Sequence, residues 1–367
     1  MSKRFLSLLA AAALALGLLA GCGSTEISSA DHLGDYVRTM DYSDGFTILQ
    51  LTDIHWNTAT VIGNEVSGSI GYLTKVIREA QRHAGKIDLI EITGDTFMLA
   101  DAGTVKEFIG FMADMAIPYA MVWGNHDREG KLNPNWLSDQ FRKAPYSLYT
   151  EVDYDDIHER GNYVINLTDG DGTVCWQIVN LDSGASYRDG AADAFMTYDY
   201  IRQDQLDWMA AEHRAALSNP PVICYYHIAQ AENDIAYEAV CNGEEGYSAM
   251  YFKLEGFAPS EHAIDTSAFF AANNVKAAFM GHAHANDWTY TNPDGIVYGL
   301  GVKSGTELYY GDVKAGYEGA GFEVTEDFTL SGASLVTLND ASGSFTLEHL
   351  YLNERDGGDF VKWVTYQ

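Results

Sequence analysis

At 367 residues, 47% of them hydrophobic and 13% aromatic, the chain can bury a sizeable core and is not a disordered polypeptide. Its 52 acidic and 22 basic residues give a formal charge of −30, which repels polymeric nucleic acid and anionic lipid at long range. A nucleic-acid polymer is therefore not expected as a partner, although a local cationic pocket is not excluded.

The first element in chain order reads as a leader. Lys3 and Arg4 precede an apolar stretch over 5–20 that is short and alanine-rich for a spanning helix. It ends in "LAGC" at 19–22, which resembles a bacterial lipobox, where Cys22 becomes the lipid-bearing first residue of the mature chain. An ordinary signal peptide or an uncleaved anchor is the alternative. Either way export is expected, to the cell surface or the periplasm, with membrane contact through the lipid anchor alone. Residues 22–44, rich in Ser, Gly and Asp, predict a tether, and 45–367 a single folded domain.

No internal repeat or low-complexity segment interrupts that domain. Short apolar runs predict strands at 46–51, 87–93, 119–123, 174–181, 221–226, 275–280 and 295–300. Between them, helical periodicity predicts 69–84 (Ile70, Leu73, Val76, Ile77, Ala80), 104–116 (Val105, Phe108, Ile109, Met112, Met115) and 203–217 (Leu206, Met209, Leu217). These stripes read as core. The alternation implies an α/β sandwich, with the stretches 128–172 and 229–265 as long connections beside its functional edge. The tail from about 316, with "GFEVTEDFTL", "SLVTLND" and "SFTLEHLYL", predicts strands that complete a sheet. Cys175, Cys224 and Cys241 fit no zinc spacing, and their odd number gives no disulfide framework. "YDDIHERGN" at 154–162 lacks the spacing of a calcium loop and reads as surface, while His83, His213 and His349 read as structural or exposed.

The informative feature is what each strand delivers at its end. The runs lead into "TDIH", "GDTF", "GNHD", "HIA" and "GHAH", placing Asp53, His55, Asp95, Asn125, His126, His227, His282 and His284 just past five strands. In open α/β sheets that edge is where ligands bind. Gly94, Gly124 and Gly281 precede the polar residues, as expected where backbone turns close to a ligand. Imidazole and carboxylate without thiolate suit Fe, Mn or Zn better than Mg or Ca. The residues are too many for one ion and match the demand of a two-metal site with a bridging carboxylate.

In this order the five segments resemble the calcineurin-like metallophosphoesterase superfamily, over roughly residues 46–305. "ILQLTDIHW", "GNHDREG", "IRQDQLDWM" and "AAFMGHAHANDW" are similar to the branch of bacterial, plant and fungal proteins grouped with purple acid phosphatases. The resemblance implies a four-layer α/β/β/α sandwich of two mixed sheets flanked by helices. It also implies two divalent or trivalent ions, with Asp53, His55 and His284 on the first, Asn125, His227 and His282 on the second, and Asp95 bridging. Where purple acid phosphatases carry a tyrosine ligand, three residues past the bridging Asp, this chain has Met98, so no iron–tyrosinate colour is expected. The family's GNH histidine, here His126, contacts phosphate together with Asn125 or protonates the leaving oxygen. Asp127 is then expected to orient its ring. Arg128 reads as an exposed loop residue rather than a phosphate contact. The implied reaction is hydrolysis of a small phosphomonoester by attack of metal-activated hydroxide on phosphorus. A phosphodiesterase acting on nucleotides or lipid head groups, and a non-catalytic surface lipoprotein that binds metal or phosphate, are the alternatives.

Overall fold

The computed structural model describes residues 36–56, 69–129, 131–152, 157–187, 197–250, 255–305, 331–353 and 360–366. The leader and Cys22 lie outside the described residues. So does "GFEVTEDFTL", the first of the strands expected in the tail.

In chain order the strands begin with β1 (Val37–Asp41), β2 (Phe46–Leu51), β3 (Leu89–Thr93), β4 (Tyr119–Val122), β5 (Tyr163–Thr168) and β6 (Val174–Asn180). A short pair, β7 (Ser186–Tyr187) and β8 (Thr197–Tyr198), precedes β9 (Val222–Tyr225), β10 (Ser248–Met250), β11 (Val275–Met280), β12 (Thr289–Thr291) and β13 (Val297–Leu300). The chain closes with β14 (Ser331–Leu338), β15 (Phe345–Asn353) and β16 (Phe360–Tyr366). Among the described residues six α-helices intervene: α1 (Ser69–Ala84), α2 (Ala102–Met115), α3 (Pro134–Arg142), α4 (Gln203–Ala215), α5 (Ala231–Asn242) and α6 (Ser267–Ala272).

Two large mixed sheets result, as the four-layer expectation requires. One has the order β16-β15-β14-β2-β3-β4 and the other β1-β5-β6-β9-β11-β13-β12-β10. Within them β2, β3 and β4 run parallel, as do β6, β9, β11 and β13. Parallel strands are buried on both faces, and every residue of β2, β3, β4 and β9 is buried. The sheets meet face to face, and Gln50 crosses between them, its Nε2 donating to Met280 O at 3.1 Å. Helix α1 packs on β2, β14 and β15, and α6 on β11. The apolar stripes of α1 and α2 join the core around the six-stranded sheet, and Leu206 and Met209 of α4 join the core behind the eight-stranded one.

Several expectations change at their margins. The tether expected over 22–44 gives way to structure at its end, where Val37–Asp41 forms β1 and pairs parallel with β5, burying Val37. Five residues of mixed polarity carry little periodicity, so only the neighbouring strand reveals them. On α1, Ile70 is 47% exposed at the first turn, while Leu73, Val76, Ile77 and Ala80 are buried. Leu217, expected on a core stripe, lies past the end of α4 with φ +59° and is 93% exposed. Of the long connections, 128–172 contains α3 and β5, and 229–265 contains α5 and β10. Asn133 caps α3 by accepting from Asn135 N, with Pro134 in the first turn, a start signal hidden in "KLNPNW".

A candidate metal centre at the strand ends

The site forms where the parallel strands of both sheets stop. Past β2 and β3 the strands keep pairing for a few residues, through Asp53 N to Gly94 O (3.1 Å) and His55 N to Asp95 O (2.9 Å). From the other sheet, Gly281 N donates to His227 O at 3.1 Å, linking the ends of β9 and β11. Four candidate ligands have left-handed backbone: Asp53 (φ +50°), His55 (+49°), Asp95 (+49°) and His282 (+74°). Non-glycine residues rarely adopt it, and its concentration here marks a functionally constrained turn. Two motif glycines leave room for it. A Cβ on Gly281 would lie 2.0 Å from Thr52 Oγ1 and 2.7 Å from Asp53 Oδ2, and one on Gly124 would lie 2.2 Å from both Asp95 N and Asp95 Oδ1.

The side chains converge as two groups. Donor atoms of Asp53, His55, Asp95 and His284 lie within 4.8 Å of one another, as do those of Asp95, His227 and His282. His284 Nε2 is 3.1 Å from Asp53 Oδ1 and 3.2 Å from His55 Nε2. On the other side His227 Nε2 is 3.3 Å from Asp95 Oδ2 and 3.2 Å from Asn125 Oδ1. Asp95 belongs to both groups. All eight sequence-predicted positions are thus brought to one place, Asn125 beside His227 and His126 with its Nε2 4.0 Å from Asp95 Oδ2.

The donor chemistry fits metal ions. Imidazole nitrogens and carboxylate oxygens face one another across 3.1–3.9 Å with few hydrogens to share. Such crowding of lone pairs is costly in a buried site unless a cation lies between them. His227 is held from outside, its Nδ1 donating to Thr93 O at 2.8 Å, which turns Nε2 inward.

The electrostatics report a strong local field. Burial opposes ionisation of Asp95, but His227 and then His55 hold its carboxyl below the ordinary range. Asp53 is held down likewise, by His284 and then His227 against burial. Burial lowers His55 to about 3, with Asp95 offsetting only part, and burial and His227 lower His282 to about 3. His227 moves the other way: burial pulls it down, but Asp95, Asp53 and the Thr93 carbonyl together lift it to about 9.

Two expectations are corrected. Asp127 does not reach the His126 ring. Its Oδ1 accepts from Phe97 N and its Oδ2 from Gly124 N, both at 2.7 Å, so it ties the GNHD turn to the GDTF turn. Burial, with Asp95 adding to it, raises its carboxyl to about 7. Arg128 is not an exposed loop residue. Its side chain is 20% exposed and paired with Glu159 and Asp182, the latter fully buried. Sequence reading missed Glu129, whose Oε2 lies 2.7 Å from His126 Nδ1, and Tyr198, whose ring meets that of His282 at 4.4 Å. Of the remaining histidines, His83 stacks on Trp363, His213 reaches Asn219 and His349 pairs with Asp287.

Known proteins resemble this chain in family and in fold. The family model described as calcineurin-like phosphoesterase matches residues 46–286. Among curated relatives, the probable inactive purple acid phosphatase 28 of Arabidopsis thaliana is 25% identical over 275 residues, covering 67% of each chain. The probable inactive purple acid phosphatase 29 of the same plant is 26% identical over 312 residues, 74% of each chain. Phosphatase DCR2 of Saccharomyces cerevisiae is 27% identical over 216 residues, 55% of this chain and 37% of its own. A solved dimetal phosphatase from Danio rerio superposes with a TM-score of 0.53 at 11% identity, covering 89% of this chain and all of that one, a likeness of fold.

Proposed function

The chain belongs to the calcineurin-like phosphoesterase family, and on that premise we propose that it hydrolyses small phosphate esters, phosphomonoesters first, at a dinuclear metal centre. The observation that supports this reading best is Asp95, a buried carboxylate shared by two separate donor groups. In the proposed assignment Asp53, His55 and His284 hold one ion, Asn125, His227 and His282 the other, and Asp95 bridges; iron, manganese or zinc suits this donor set. Two such ions would supply an activated water and a positive field for the phosphoryl oxygens.

The chain's own residues do the rest. Asn125 and His126 lie on the turn that meets the phosphoryl group, and Asp127 fixes that turn by its two backbone hydrogen bonds. As water adds to phosphorus, the bond to the ester oxygen breaks, and that oxygen takes its proton from His126 Nε2. Cys22 and the preceding apolar stretch support placing the protein outside the cytoplasm, tethered to a bacterial membrane by lipid. No helix among the described residues is long and apolar enough to cross a membrane.

The "inactive" in the plant relatives' names makes a direct assay the test. The soluble form, 23–367, loaded with manganese, iron or zinc, is expected to turn over p-nitrophenyl phosphate faster than bis-p-nitrophenyl phosphate. The reverse order would make it a diesterase, and turnover of neither would make it a binding protein.

A further inference from the structure

A histidine that donates a proton has to present one ring nitrogen to the leaving oxygen while something holds the other. The adjacent aspartate is the obvious holder, but both Asp127 oxygens are taken by backbone N–H groups of Phe97 and Gly124. The three residues His126–Arg128 form a single 3-10 turn, closed by Glu129 N donating to His126 O at 3.2 Å. In that geometry side chains three apart eclipse one another, so residue 129, not 127, stands over the ring of residue 126. Glu129 Oε2 accordingly lies 2.7 Å from His126 Nδ1. At the opposite edge of the ring, Nε2 faces Asp95 Oδ2 at 4.0 Å, and the ring meets His55 edge-on at 5.3 Å.

We infer that Glu129 is the positioning residue for His126, keeping its imidazole turned so that Nε2 faces the metal centre. This rests on the proposed phosphoesterase reading and deepens it. The two atoms stand at ion-pair distance without the alignment of a full hydrogen bond, so the carboxylate steers the ring by charge. The Glu129 side chain is 42% exposed, so variants at this position are expected to fold. The neighbouring charged groups are committed elsewhere: Arg128 to Glu159 and Asp182, and Asp127 to the backbone.

The test compares esters whose leaving groups differ in their need for a proton. For Glu129→Ala, kcat on an alkyl phosphate such as glycerol 2-phosphate is expected to fall roughly tenfold or more, a part of what general acid catalysis supplies. On p-nitrophenyl phosphate, whose leaving group departs unaided, kcat is expected to stay within about threefold, with KM and metal content unchanged. Combining it with His126→Ala should add little further loss, because the two act as one unit. The metal-free protein gives an independent readout. Nitrogen-15 spectra of the His126 ring should show its Nδ1–H tautomer depleted in Glu129→Ala relative to the wild type. Equal losses on both esters, a changed KM or metal content, or an unaltered tautomer would overturn the assignment. A wild type inactive on both esters would overturn the phosphoesterase reading along with it, whereas an active wild type matched by Glu129→Ala would overturn this inference alone.

Discussion

Asp95→Asn is expected to reduce kcat/KM on p-nitrophenyl phosphate by on the order of 10³-fold or more, about 4 kcal/mol of transition-state stabilisation. The amide is nearly isosteric with the carboxylate, so the fold has little reason to fail. Its oxygen can still accept from His126 N, a bond of 2.8 Å in the wild type, and its nitrogen can turn toward His227 Nε2, 3.3 Å away. What the change removes is one negative charge from the only carboxylate common to both donor groups among the described residues. Both ions should therefore bind more weakly. Steady-state kinetics with metal analysis and thermal unfolding on the same sample checks this. A folded variant that kept more than about a tenth of the activity would show that Asp95 is not the bridge.

The second large effect concerns stability and lies one layer below the metals. Glu91, in β3, is fully buried, and neither of its carboxyl oxygens has a hydrogen-bond partner among the described residues. Its register partner on β2 is Gln50, and its charge acts on Tyr163 and Tyr225 of the facing sheet. Burial lifts its carboxyl well above the ordinary value of 4.5. Below that value both folded and unfolded chains hold the proton and the group contributes nothing to pH dependence. As pH rises past it, the unfolded chain releases a proton that the folded chain keeps. Wild-type stability should therefore fall by about 1.4 kcal/mol per pH unit from this residue, until folded Glu91 itself ionises. Glu232, raised by burial to about 7, acts with the same sign between 4.5 and about 7. Urea denaturation across pH 5 to 8 should thus show Glu91→Gln gaining on the wild type as pH rises. Parallel curves would mean that Glu91 is ionised in the folded protein.

Glu91 also shows where sequence reading runs out. In "LIEIT" the glutamate sits among apolar residues, and the strand run by itself does not say which face it takes. Yet β3 pairs with β2 on one side and β4 on the other, and every one of its residues is buried, so neither of its faces is outward. Gln50 in "ILQL" and Asn180 in "QIVN" are hidden for the same reason, because burial on the second face depends on the other sheet. The metal-centre residues were legible for the opposite reason. Each is fixed by a short local segment, a strand and the turn after it, and five such segments share one edge. What local spacing could not give was the direction of side chains within the GNHD turn. There the 3-10 geometry sends Asp127 to the backbone and brings Glu129 to the ring. The fate of Arg128 likewise depends on Asp182, past the end of β6, and on Glu159, far from it in sequence.

Two catalytic ions per chain are expected to appear when the metal-free protein is titrated with manganese, iron or zinc and bound metal and turnover are followed together. The predicted result is saturation at about two ions per chain, with hydrolysis of p-nitrophenyl phosphate rising only as the second ion binds. Saturation at about one ion, or full turnover in the presence of chelator, would contradict it.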